Sequence, residues 1–85
     1  MLVVRHDGSV SDSLVEQLRG PIEEAAAERP GYCEAFVYGL GRPAGEVVVR
    51  LTTTHAVVPV LLREREIEGR RVLALVRDAL RRADA

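Results

Sequence analysis

The run EVVVRLTT at positions 46–53 constrains the fold more than any other segment. Its β-branched side chains lose rotamer freedom in a helix and pack well on a pleated surface, so it reads only as a strand. Its odd positions, Val47, Val49 and Leu51, are apolar, while Arg50 and Thr52 share the even side with Val48. This is the period of a sheet with one buried face and one open face. The preceding GYCEAFVYG, residues 31–39, alternates in the same way. Cys33, Ala35 and Val37 are small and apolar, whereas Tyr32, Glu34, Phe36 and Tyr38 fall on the other side. The glycine-rich LGRPAG between the two runs supplies a turn.

Helical signals flank this pair. Ser13, with Glu16 three residues later, forms a capping box, and Leu14, Leu18, Ile22 and Ala25 recur at helical spacing. Gly20-Pro21 interrupts that helix, because Pro21 has no donor N–H and its ring clashes with the carbonyl of Gln17. Either a kink or a fresh helix start at Pro21 is expected. Arg29-Pro30-Gly31 stops it. The segment 56–66, AVVPVLLRERE, is read as a strand with Leu61, Arg63 and Arg65 on one face and Val60, Leu62, Glu64 and Glu66 on the other. Pro59 then implies an edge position or a bulge. Residues 70–83 form the clearest helix, with Val72, Val76, Ala79 and Leu80 as its apolar stripe. With LVVRH near the N-terminus as a first strand turned by HDGS, the order is β-α-β-β-β-α. The expected fold is an α+β two-layer sandwich, both helices on one face of a mainly antiparallel sheet.

The 85 residues support one core and so one domain, 1–85. Apolar residues at 47% and charged residues at 29% describe an ordinary globular chain. The longest apolar run, 56–62, is too short to cross a bilayer. The N-terminus turns polar after four residues, so no secretory signal is expected, and a cytoplasmic location follows. A single cysteine, Cys33, excludes an internal disulfide framework. All twelve basic residues are arginine, a bias that reflects GC-rich codons more than function. Their placement says more. Residues 1–45 carry four arginines against seven acids, and residues 46–85 carry eight against six.

Several apparent motifs carry no chemistry. GLGRPAG leads into a strand, whereas a dinucleotide loop must open a helix. Asp12-Ser13-Leu14 resembles a carrier-protein site but has only a strand before it. His6, Asp7, Cys33 and His55 show no ligand-pair spacing, so neither a metal nor a cofactor is expected. No nucleophile, base and orienter can be assembled, and no catalytic residue is assigned.

Two surfaces remain. If the helices cover Cys33, Ala35 and Val37, the aromatics lie on the open face beside Arg50. Tyr32, Phe36, Tyr38 and Arg50 then form a candidate interface for a protein partner or a second copy. The opposite placement would put the aromatics under a helix or loop, with Glu34 at an edge. On the last helix, Arg70, Arg77 and Arg81 fall within roughly 40° of one another, opposite the apolar stripe. They form a ridge suited to phosphate. As a plain solvated face it would need no ligand.

The element order, the VSDSL opening of the first helix, the EVVVRLTT strand and the EREIEG segment leading into an Arg-studded last helix resemble the small ribosome-associated hibernation-promoting factors. From the second strand onward the order is also similar to a double-stranded-RNA-binding domain, whose lysine cluster is represented here only by Arg70-Arg71. The first resemblance implies a cytoplasmic, non-enzymatic protein that binds ribosomal RNA through basic residues, here Arg70, Arg77 and Arg81. The chain departs from the pattern in its net charge of −1 and in Gly20-Pro21. The two functional readings at this point are a module binding RNA or the ribosome, and a protein-interaction or homodimerisation module using the open face.

Overall fold

A computed structural model describes residues 1–85. Strands β1 (Leu2–His6), β2 (Cys33–Tyr38), β3 (Glu46–Thr53) and β4 (Val57–Arg63) and helices α1 (Asp12–Ala27) and α2 (Gly69–Asp84) follow one another as β-α-β-β-β-α. The sheet order is β1-β2-β3-β4. β1 runs parallel to β2, and the other two pairings are antiparallel. Helix α1 packs on β1 and β2, α2 packs on β3 and β4, and the helices pack on each other.

The strand alternation explains why both helices share one face. Cys33, Ala35, Val37, Val47, Val49, Leu51, Val60 and Leu62 all point to the same side, and all are buried. Leu14, Val15, Leu18, Ile22, Val72, Val76 and Leu80 close over them in one cluster. Burial of this continuous apolar layer is the main stabilising term.

The structure refines three local expectations. Helix α1 is capped by Ser11, two residues before the anticipated Ser13. Ser11 is extended (φ −63°, ψ 149°), its Oγ accepts the Leu14 N–H at 3.2 Å, and its carbonyl accepts the Val15 N–H. Burial of Val10 beside the core fixes where the chain enters the helix. Gly20-Pro21 neither ends nor restarts α1, which is one helix from Asp12 to Ala27. The Gln17 carbonyl that loses its partner belongs to an exposed residue, where solvent is available, and the apolar stripe continues in phase from Leu18 to Ile22.

The third correction concerns β4, which stops at Arg63. Glu64–Glu66 form a 3₁₀ turn, so the sorting of charge holds for Arg63 but not for Arg65, Glu64 and Glu66. Continuing the strand would aim Glu64 at the layer that buries Val60 and Leu62, at the cost of an unpaired charge. Pro59 does occupy an edge strand. Bonds from Thr53 N to the Ala56 carbonyl (2.9 Å) and from Glu64 N to the Gly45 carbonyl (2.7 Å) set the phase of the β3–β4 ladder. Val58, Val60 and Leu62 therefore share it, and Pro59 sits where an N–H would point away from β3. The missing donor costs no ladder bond and blunts the edge against further strand addition.

Polar contacts tie the loops and helix ends together. Gly8 adopts φ 85°, and the Ser9 hydroxyl donates to Asp7 while accepting the N–H groups of Gly39 (2.9 Å) and Leu40 (3.2 Å). Arg29 donates two bonds to Asp84, at 2.6 and 2.7 Å, and joins the end of α1 to the end of α2.

The carboxylates in these contacts set the pH response. Hydrogen bonds from Arg77 hold Glu28 below the ordinary 4.5, and those from Arg29 hold Asp84 below 3.8. The N–H groups of Arg70 and Arg71 lower Glu68, and the Ser9 hydroxyl lowers Asp7. A depressed carboxyl pKa stabilises the fold above its unfolded value, and that stabilisation disappears as pH falls through the folded value. Thermal midpoints are therefore expected to be nearly level between about pH 7 and 5 and to decline below about pH 4.5. A midpoint that rises on acidification through that range would contradict these pairings.

Candidate nucleic-acid interface

Helix α2 begins on Glu68, whose carboxylate accepts the N–H groups of Arg70 (3.0 Å) and Arg71 (3.1 Å). Its buried stripe is Val72, Val76, Ala79, Leu80 and Ala83, which turns Arg70 and Arg81 to solvent. Arg77, between them on the same flank, faces α1. It donates to both oxygens of Glu28, at 2.7 and 2.6 Å, and these bonds raise its pKa. The charge of Arg81 also helps to lower Glu28. Arg82 pairs with Asp78 at 3.3 Å and Arg71 with Glu66 at 3.4 Å. Arg70 and Arg81 form no ion pair, so the ridge consists of two free guanidinium groups with one held between them.

The second surface is the uncovered sheet face. The registers align Arg5, Phe36, Arg50 and Pro59 in one row across all four strands. The Arg50 guanidinium lies over the Phe36 ring, 5.1 Å from its centroid, and Tyr38 meets the same ring edge-on at 5.8 Å and 70°. Val48, only 6% exposed although it faces away from the helices, is flanked in register by Tyr38 and Leu61. Tyr32 sits at the end of the face and is 39% exposed. Its hydroxyl donates to Glu34 at 3.1 Å, a bond that raises the phenol pKa. Arg5 approaches the same carboxylate at 3.8 Å.

Phe36, Tyr38 and Arg50 are thus neighbours, with Tyr32 linked through Glu34. Arg5 and Arg63 also belong to this face, although sequence reasoning did not place them there. Val3 and Arg5 alternate with Leu2 and Val4 in LVVRH, but which set faces out is fixed by the register with β2. Cys33 is buried and its thiol pKa is raised by burial, an environment that disfavours the thiolate. No group of three or more His, Cys, Asp and Glu side chains is arranged to hold a metal. No helix is long and apolar enough to cross a membrane.

No protein-family model matches the chain, and no curated protein is similar to it at a significant level. Among solved structures, the crystal structure of the Thermus thermophilus Protein Y N-terminal domain aligns with a TM-score of 0.53. The alignment covers 98% of this chain and 96% of that one, at 9% identity. The two chains share a fold.

Proposed function

We propose that the chain is a small non-enzymatic module that binds RNA, on the pattern of the ribosome-associated hibernation-promoting factors its sequence resembles. The observation that carries this reading is the pair of unpaired guanidinium groups, Arg70 and Arg81, on the outer flank of α2. A guanidinium fork matches phosphate oxygens, and neither of these two is held in an ion pair, although Glu68 lies within the field of Arg70 and Glu28 within that of Arg81. The fold shared with the Protein Y domain supports it. With a net charge of −1, the contact is local and sensitive to salt.

Cosedimentation with purified ribosomes at low salt tests the reading. A charged hydrogen bond is worth roughly 1.5–3 kcal/mol, so Arg70→Gln combined with Arg81→Gln should weaken binding by about tenfold per arginine. The slope of log affinity against log salt should become shallower by about one unit per lost contact. Arg77→Gln is left out because it also breaks the pair with Glu28. Wild-type protein that stays in the supernatant at low salt would remove the proposal.

A second reading, a partner protein or second copy on the sheet face, is favoured by Val57 and Leu61, which are 56% and 52% exposed. Light scattering on the free protein reads it out.

A further inference from the structure

We infer that the uncovered sheet face is a platform for unpaired nucleotides, on which a base stacks against the Phe36–Arg50 pair while phosphates lie along Arg5 and Arg63. The inference rests on the RNA reading and adds a site on the side of the molecule opposite the helices.

The ring of Phe36 has an arginine as its immediate neighbour on each adjoining strand, Arg5 on β1 and Arg50 on β3. The Arg50 guanidinium already lies over that ring, so the centre of the face is both aromatic and cationic. Surfaces of this composition hold single strands, because every base has a π-face to stack. A duplex keeps its bases stacked internally and offers none to a flat sheet.

Charge selects the occupant. Strand alternation puts Arg5, Arg50 and Arg63 on this face against Glu34 and Glu46. Glu46 is held by Arg42 at 2.7 Å, while Glu34 receives the Tyr32 hydroxyl and lies near Arg5. Arg50 and Arg63 form no ion pair, in a chain whose acids outnumber its bases. Free cations where carboxylates are plentiful elsewhere complement an anion. The face carries three arginines to two glutamates, so a second copy laid on it would set two net-positive surfaces against each other.

The test is fluorescence anisotropy of the full chain with a labelled single-stranded RNA of about 12 nucleotides, within the range of such platforms, and with a duplex of equal length. Wild type should bind the single strand in preference to the duplex. Phe36→Leu and Arg50→Gln should each weaken single-strand binding by roughly ten- to a hundredfold. Arg50→Gln alters an exposed side chain, so it decides the matter alone if Phe36→Leu disturbs folding. If wild type binds neither RNA nor ribosomes, the parent reading fails and this site falls with it. If wild type binds and both sheet variants titrate like it, only the sheet site is overturned. A dimer that Phe36→Leu dissociates would make the face a protein interface and overturn it as well.

Discussion

Ile22→Ala is expected to destabilise the protein by about 2–5 kcal/mol, the range for deleting a fully buried aliphatic side chain and leaving a cavity. Ile22 is 0% exposed and belongs to the single core cluster with Leu18, Val72 and Val76. In a domain of this size each kcal/mol moves the thermal midpoint by roughly 4–8 °C, so a fall of about 10 °C or more should be seen. Denaturant titration checks the same point, with a lower midpoint at unchanged slope. A loss below about 1 kcal/mol would mean that α1 beyond Pro21 is not packed on the sheet as described.

Pro21→Ala should act in the opposite direction. Proline inside a helix is about 3 kcal/mol less favourable than alanine, through the lost bond to Gln17 and the clash of its ring. Two terms reduce the gain. Proline also restricts the unfolded chain, which is worth about 0.4–1 kcal/mol, and its Cγ lies 4.0 Å from where a Cβ on Gly69 would stand, beside the start of α2. The expected net effect is stabilisation by about 1–2 kcal/mol, seen as a higher thermal midpoint. A destabilised variant would show that packing of the proline ring near the start of α2 outweighs the helix gain.

The sheet and its two faces were legible in the sequence because period-two alternation is a local property. Cys33, Ala35 and Val37 against Glu34, Phe36 and Tyr38 separates two faces, and the structure puts the helices over the first set, the side the sequence favoured without deciding. The α2 stripe was legible for the same reason. Contacts between distant residues were not. Grouping Arg70, Arg77 and Arg81 by helical angle puts them on one flank, but nothing near Arg77 in the chain announces Glu28, 49 positions away. Arg5 joins the face through a parallel pairing whose register no local pattern specifies. In α1 the Ser13–Glu16 spacing yielded to burial of Val10 before the helix, and burial of Ile22 and Ala25 carries one helix through the proline, which rules out the fresh start.

The parallel pairing of β1 also bears on the order in which the chain assembles. Strands β2, β3 and β4 form a meander whose connections are the short segments 39–45 and 54–56, and α2 follows directly to cover β3 and β4. Strand β1 can pair with β2 only after the whole of α1 has crossed over, so its ladder closes a far longer loop. Its contacts are expected to form after the meander, which lower φ-values in β1 than in β2–β4 would show. The same asymmetry makes β1 the natural unit of partial opening. Arg5 sits on that strand, so the cationic row across the sheet is complete only while this edge strand is docked.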